Sequence, residues 1–559
     1  MTEEKQPAQG PTERDYKRAF FELLGKQPDL CAYRVVTRGQ KIALWVALAA
    51  AAAWAVLDWV SFLLVVNGFF ILYYLTLSAW KLWLIDESLV SKREIVVTPE
   101  EVAALADEDC PEYTILVPLY HETETLPRLV EGLAKLDYPK ARLDVIFLLE
   151  EDDRETRAAF DALRTAGLRP EGVRLEVQKE QNEGGGAPPA VPQASSLKSQ
   201  ALSIRGAVAP DMQPKTKPKA CNLGLAMARG KYLVIYDAED RPDPDQLKKA
   251  VLAFRKANTR LEAAGLRLEV QQDSVDAALS VPQVSSLKPQ ASAEVVCIQA
   301  KLNFYNPRQN LLTRLFTIEY SMWFDLFLPG LDYLKQPIPL GGTSNHFVVE
   351  KLRELYGWDA FNVTEDCDLG IRMADRGFQT RILDSTTWEE ACSQRGWWVR
   401  QRSRWIKGYI QTYLVHCRRP VAMFRKLGFW KTFGFHMMIG GTPLCLLINP
   451  LYWLMALAWV ILRSEKVAVF FPFPVILFAA ACLFIGNFVF LYAGVLAAYR
   501  RGYHDLVKTA LLMPFYWVMM SIGAWKGFIQ LITKPNYWEK TKHGLDLAGT
   551  SEAKPAQKA

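Results

Sequence analysis

The stretch YLVIYDAED, Tyr232–Asp240, decides the fold class: five apolar or aromatic residues in a row, then three acids within four positions. A short apolar run of this kind reads as a fully buried strand, and the abrupt change to acids marks its carboxyl end. Working outward, the same grammar recurs. Tyr113–Val117 (YTILV) stops at Pro118, and Val145–Leu149 (VIFLL) runs into the four acids Glu150–Asp153. Between and beyond these lie stretches of helical pattern, Thr125–Leu136 and Ala220–Ala228, the latter closed by Gly230. Strands separated by helices predict βαβ units, hence an α/β domain with a mostly parallel sheet. In such sheets ligands bind beyond the carboxyl ends of the strands, where both acidic clusters fall.

Further out, the chain changes character. From Ile42 to Ile85 the only ionisable residues are Asp58 and Lys81. That length allows two spans of roughly 20 residues each, near 42–57 and 60–80, with Asp58 and Trp59 in a short outer turn. Basic residues Arg34, Arg38 and Lys41 precede the first span, and no cleavage-site pattern follows. A retained, cytosolic N-terminus is therefore expected. Apolar runs return at 436–462, 468–499 and 507–532. Three full spans there would place the C-terminus outside, yet Lys534, Lys540 and Lys542 follow the last run and favour the cytosol. Either the last run is re-entrant or interfacial, or the 436–462 run, with Gly440, Gly441 and Pro443, is a hairpin.

Composition excludes other classes. The 559 residues include 17 Trp and are 50% hydrophobic, against disorder or a collagen-like chain. The net charge of +6 (66 Lys and Arg, 60 Asp and Glu) is too mild and too dispersed for a nucleic-acid partner. Nine cysteines with no CxxC pair suit a reducing compartment. Two segments rich in Gly, Pro, Ser and Gln, near 181–205 and 271–292, interrupt the soluble middle. They contain near-copies, VPQASSLKSQA at Val191–Ala201 and VPQVSSLKPQA at Val281–Ala291, and read as duplicated surface insertions.

Taken singly, the candidate motifs are weak. Glu150–Asp153 suits a solvated charge run as well as a ligand site. Asp237 and Glu239, alternating at a strand end, can aim two oxygens at a hard cation such as Mg²⁺ or Mn²⁺. Lys215–Asn222 (KTKPKACN) brings cations to a helix start, where anions are favoured. Thr364–Asp368 (TEDCD) opens a helical pattern, where an acid is often only a cap. Gln401–Trp405 (QRSRW) offers bidentate arginines and an indole face.

The fixed order is far more specific: Pro118-x-Tyr-x-Glu122, acids after the second strand, KAxN, DxE, TED and QxxRW, all between apolar runs. This set resembles the processive family 2 glycosyltransferases, the cellulose-synthase and hyaluronan-synthase type of bacterial membrane polysaccharide synthase. The resemblance covers roughly residues 40–545 apart from the insertions, and Tyr537–Gly544 (YWEKTKHG) looks like the end of exopolysaccharide synthases of this group.

The resemblance implies a GT-A-like nucleotide-sugar-binding domain inserted between transmembrane helices. It implies Asp366 as the catalytic base. Glu122, Glu151, Asp152, Lys219, Asn222, Asp237, Gln401 and Arg404 then bind the UDP donor. Trp405, Glu365, Gly342 and Thr343 face the acceptor, and Asp237 with Glu239 holds Mg²⁺ or Mn²⁺. Two positions depart from the family pattern: Glu239 stands for the second aspartate of DxD, and Cys221 for the glycine of KAGN.

The expected organisation is a cytosolic segment 1–40, two transmembrane helices in 41–85 and a glycosyltransferase domain over 86–407. Interfacial helices at 408–432, a transmembrane region 433–533 and a tail 534–559 complete it. With about 25 residues after the last apolar run, a PilZ-like regulatory domain is not expected. The implied activity is inverting transfer from a UDP-sugar to a growing polysaccharide at the bacterial inner membrane, with a cytosolic catalytic domain and room for an accessory export subunit. Two alternatives stand beside it: a non-processive transferase with a lipid acceptor, and a catalytically silent assembly or receptor component.

Overall fold

The computed structural model describes residues 13–91, 94–165, 204–259, 294–462, 472–473 and 475–539. Almost all of both insertions, and the tail beyond Glu539, lie outside these residues. The soluble middle is built on one eight-stranded sheet: β1 (Tyr113–Leu119), β2 (Leu143–Glu150), β3 (Ile204–Ala209), β4 (Tyr232–Ile235), β5 (Arg241–Pro242), β6 (Val295–Phe304), β7 (Asn345–Val348) and β8 (Gln379–Glu389). Their spatial order is β3-β2-β1-β4-β7-β6-β8-β5.

The half made of β3, β2, β1 and β4 is wholly parallel, with Tyr113 beside Leu143 on one flank and Tyr232 on the other. β7 enters antiparallel to both β4 and β6, while β6 and β8 are again parallel. Six of the eight strands therefore point one way, and β7 and β5 run against them. The α/β class and the mostly parallel sheet are borne out, and the sheet as a whole is mixed. Strand β3 begins at Ile204, inside the segment read from composition as insertion. Its alternating, half-exposed pattern suits an edge strand, where periodicity is weak.

Burial follows from the apolar runs. All ten residues of β6 are buried, and β2 is buried apart from Asp144. Helices cover both faces, among them Leu126–Ala134, Lys217–Met227 and the helix over 246–259.

Among the described residues, four helices are long and apolar enough to cross a membrane, and a fifth crossing is reached if a bent pair counts as one span. Arg38–Leu57 starts at Thr37, which forms a capping box with Gln40. Trp59–Val90 follows at once, with Asp58 accepting from the Ser61 amide at its start. At 32 residues it measures about 48 Å, against roughly 30 Å of hydrocarbon, so its C-terminal turns run on into the soluble domain. There Leu84 packs so closely on Gly330 that a Cβ on that glycine would stand 2.8 Å from the Leu84 carbonyl carbon.

The expected interfacial stretch 408–432 divides between two elements. Its first residues belong to the long helix Arg395–His416. The rest lies in Pro420–Phe435, which breaks at Gly428 (φ +75°) before continuing through a π turn into Gly441–Leu462. The final run is the bent pair, His504–Ala510 and Met513–Thr533 at 67° to each other. Counting it as a broken, non-crossing element leaves four spans among the described residues.

Candidate active site

The carboxyl ends of β1, β2 and β4, the loop before β7, the helix Glu365–Asp375 and the helix Arg395–His416 converge on one cavity of about 700 Å³. Of the residues singled out from sequence, Glu122, Asp237, Glu239, Gly342, Thr343, Glu365, Asp366, Gln401, Arg404 and Trp405 line it. They come from positions up to 283 residues apart, between Glu122 and Trp405, so only the fold assembles them.

Asp366 sits in the first turn of its helix. One carboxylate oxygen accepts from the Cys367 amide at 2.8 Å. The other faces Gly342, where a Cβ would stand 3.1 Å away, and the glycine holds φ +84°. A side chain there would be strained and would crowd the carboxylate. The helix is anchored by a buried network that starts two residues on. Asp368 accepts from Arg372 (2.7 Å) and pairs with His416 (2.9 Å), while Arg372 also donates to the Leu355 and Gly357 carbonyls at 2.8 Å.

Burial, opposed by its amide hydrogen bond and by the charges of Lys217 and Arg404, pushes Asp366 up to about 6. Glu365 is pushed up to about 7 by burial and by the charge of Asp366. A carboxylate raised toward neutrality but still ionised at pH 7 has the basicity general-base chemistry needs.

On the other side stand the acids after β4. Asp237 pairs with Lys217 at 2.6 Å, and the same ammonium donates to the Gly342 carbonyl at 2.9 Å. Lys217 thus ties the acid cluster of one strand to the loop beside Asp366. Asp240 is buried; it accepts from the Asp237 amide at 2.8 Å and from the Thr343 hydroxyl. Its carboxyl is held well above the usual range by burial and by the charges of Asp237 and Glu239. Glu389, at the end of β8, is likewise raised by burial and then by Asp240, Glu239 and Asp237. Arg404 faces these acids, and burial lowers its guanidinium despite the charges of Glu365 and Asp237.

This crowding bears on a divalent cation. No group of three or more His, Cys, Asp or Glu among the described residues is arranged to hold a metal. The donor chemistry nonetheless fits: the acids at the end of β4 are hard oxygen ligands whose mutual repulsion a cation relieves, and the second Asp240 oxygen is buried without a hydrogen-bond partner. Mg²⁺ commonly uses one or two carboxylates and takes further ligands from substrate phosphates, so a two-carboxylate set is sufficient.

Four expected donor residues fall outside the cavity lining. Lys219 is fully buried, paired with Glu150 at 2.8 Å and donating to the Pro210 and Met212 carbonyls. Asn222 donates to the Trp358 carbonyl (2.8 Å) and accepts from its amide (2.9 Å). Both knit the helix Lys217–Met227 to its surroundings. Glu151 accepts from the Asp211 amide at 2.9 Å, and Asp152 pairs with Lys215 and accepts from the Tyr120 hydroxyl at 3.3 Å. Lys215 and Tyr120 themselves reach the cavity.

Lys217, Asp240 and Arg402 lie inside motifs quoted from the sequence but were given no role there, and Glu389 was not singled out at all. Glu389 and Glu390 had the same signal as the other clusters, acids directly after a strand. Arg402 is clamped by Glu319, with 2.8 Å for one of the two bonds, and its guanidinium lies 4.5 Å from the ring centres of both Phe316 and Trp405. Its guanidinium therefore lies over one face of the Trp405 indole, and both residues line the cavity. Gln401 projects a buried side-chain oxygen with no partner. The cavity does not end there: Thr442, Asn449, Phe490 and Met520, all on apolar helices, continue its wall.

Residues 270–483 match the family model "Glycosyl transferase family group 2". The match takes in Asp366 and Gln401–Trp405 but begins after the acids of β2 and β4. The chain is 22% identical over 303 residues to the probable glycosyltransferase YdaM of Bacillus subtilis, covering 54% of this chain and 56% of that protein. It is 24% identical over 369 residues to a beta-monoglucosyldiacylglycerol synthase of Synechocystis, covering 64% and 62%. The chain thus spans less than two thirds of the length of each of these relatives. Among solved structures, the mannosyltransferase PcManGT of Pyrobaculum calidifontis, in complex with GDP-Man and Mn²⁺, aligns at 16% identity with a TM-score of 0.44, over 84% of this chain and 99% of that one.

Proposed function

We propose that this chain is an inverting membrane glycosyltransferase that moves a sugar from a UDP-sugar to a growing polysaccharide at the bacterial inner membrane. The observation that carries the reading is the single cavity that joins Asp366, Arg404 and the acids after β4 to the walls of the apolar helices.

In this reading the acceptor hydroxyl lies against Asp366, which takes its proton as the oxygen attacks the anomeric carbon from the face opposite the diphosphate. The glycosidic carbon exchanges its bond to the diphosphate for one to the acceptor, and UDP leaves with inversion. Arg404 and Lys217 meet the negative charge that grows on the departing diphosphate. Mg²⁺ or Mn²⁺, held by Asp237 and Glu239, would supply Lewis-acid stabilisation of that charge. Gln401 offers a hydrogen-bond acceptor to the donor, Glu122 lines the same cavity, and Trp405, stiffened by Arg402, offers a flat face on which a pyranose ring stacks. Asp152, Glu151, Lys219 and Asn222 act by shaping the donor loops.

The deciding experiment is UDP release by the detergent-purified chain across a panel of UDP-sugars with Mg²⁺ or Mn²⁺, followed by sizing of the product. Metal-dependent release with one donor and a long product is expected. A second reading, transfer to a lipid, is favoured by the name of the Synechocystis relative; a product limited to one or two sugars on a lipid would establish it. Absence of release with every donor would sink both.

A further inference from the structure

Lys81, one of two ionisable residues in the run Ile42–Ile85, is not used by the reaction described above. It lies 22 positions after Trp59 on the helix Trp59–Val90, about 33 Å along the axis, where the apolar helices meet the soluble domain. The side chain is 8% exposed and lines the cavity. Its ammonium stands 4.6 Å from the ring centre of Phe490 and 5.3 Å from that of Phe327.

No described carboxylate forms an ion pair with it. Glu319 faces the same space, but its charge is committed: it accepts from both terminal nitrogens of Arg402 and from the Tyr516 hydroxyl at 2.5 Å. Thr442, Cys445 and Asn449, which line the same cavity from an apolar helix, are neutral. An ammonium buried at the edge of the membrane is costly, and aromatic faces return only part of that cost. A path for a neutral acceptor has no use for it, since Met would fill the same volume. An acceptor bearing an anion does.

We propose that Lys81 is the cation of an acceptor subsite that binds an anionic oxygen group, a sugar carboxylate or a lipid phosphate, on the molecule being glycosylated. The proposal rests on the reading of this cavity as a glycosyl-transfer site. It narrows the acceptor to an acidic one, whose charged group is held at Lys81 while a hydroxyl further up the cavity meets Asp366.

The test compares the full-length protein in detergent with Lys81→Met and Lys81→Arg. Binding is measured for methyl β-glucuronoside against methyl β-glucoside, for glycerol 1-phosphate against glycerol, and for UDP. The parent should bind at least one anionic probe about tenfold more tightly than its neutral counterpart, a preference lost in Lys81→Met and largely kept in Lys81→Arg. Preference for the glucuronoside assigns a saccharide carboxylate, and preference for glycerol phosphate a lipid headgroup. Equal binding of charged and neutral probes by the parent, or a preference that survives Lys81→Met, overturns the proposal. UDP affinity should be the same in all three proteins. Its absence from all three would count against the donor reading and leave the Lys81 result to be judged by its own probes.

Discussion

Gly408 and Thr364 meet with no room for a methyl group between them: a Cβ on Gly408 would lie 2.7 Å from the Thr364 Cβ, and closer still to its hydroxyl and methyl. Thr364 is the residue before the acidic pair Glu365 and Asp366, and Gly408 lies one turn beyond Arg404 and Trp405. The contact sets the spacing between the helix that carries Asp366 and the helix that carries Arg404. Gly408→Ala should push them apart, costing about 1–3 kcal/mol of stability by overpacking. Turnover should fall more steeply than UDP affinity. Unchanged turnover in the purified variant would show that this spacing does not govern the reaction.

Asp366→Asn keeps the size and most hydrogen bonds of the side chain but removes its basicity. Sugar transfer should fall by about 10²–10⁴, the usual worth of a general base, with UDP binding retained. In the parent, the base works only when ionised, and its pKa is pushed up to about 6. The kcat/KM profile should therefore rise with pH through this value and level off above it. A flat profile between pH 5 and 7 would remove Asp366 from the role.

Lys217 and Lys219 sit two positions apart and should fail in different ways. Lys217 bridges Asp237 and the Gly342 carbonyl within the cavity, so Lys217→Met should lower kcat/KM while the protein remains folded, with partial rescue by Lys217→Arg. Lys219 is the buried partner of Glu150, and Lys219→Met leaves that carboxylate alone in the interior. Breaking such a pair costs on the order of 3–5 kcal/mol, which should appear as lost yield and thermal stability. Similar losses of stability in both variants would contradict the distinction.

The acids of the site also set a pH dependence of stability. Asp366, Glu365, Asp240 and Glu389 all have carboxyls raised above their ordinary range, chiefly by burial. The folded chain then binds more protons than the unfolded chain, whose acids titrate at about 4. Their contribution is fully present below that value and is lost as pH rises through the raised values, so stability falls with increasing pH over this window. Glu389→Gln should flatten the fall measured by thermal unfolding, and Mn²⁺ with UDP should raise the midpoint more at pH 8 than at pH 5.5. A midpoint that climbs steadily from pH 5 to 8 would refute the assignment.

How much of this was legible beforehand depended on the range of the signal. The strands Tyr113–Leu119, Leu143–Glu150 and Tyr232–Ile235 could be read because each carries a near-continuous apolar run, the usual mark of a strand buried on both faces. The antiparallel entry of Asn345–Val348 could not, since four residues show no direction until they find neighbours. Among the charged residues, the order of acids and basic motifs marked the site region. It could not say that Lys217 rather than Lys219 reaches the cavity, because that choice follows from how the helix Lys217–Met227 rotates against the sheet.

The sequence by itself determined the two materials of this protein, apolar helices and an α/β domain with acids at its strand ends, because burial in hydrocarbon and in a sheet interior both act on local composition. Only the tertiary structure decided that Glu122, Asp237, Asp366 and Trp405 share one cavity, and that this cavity reaches Lys81. Those groups meet through contacts across hundreds of residues, and neither the pairing of strands nor the close seat of Gly408 on Thr364 has a signature shorter than the fold.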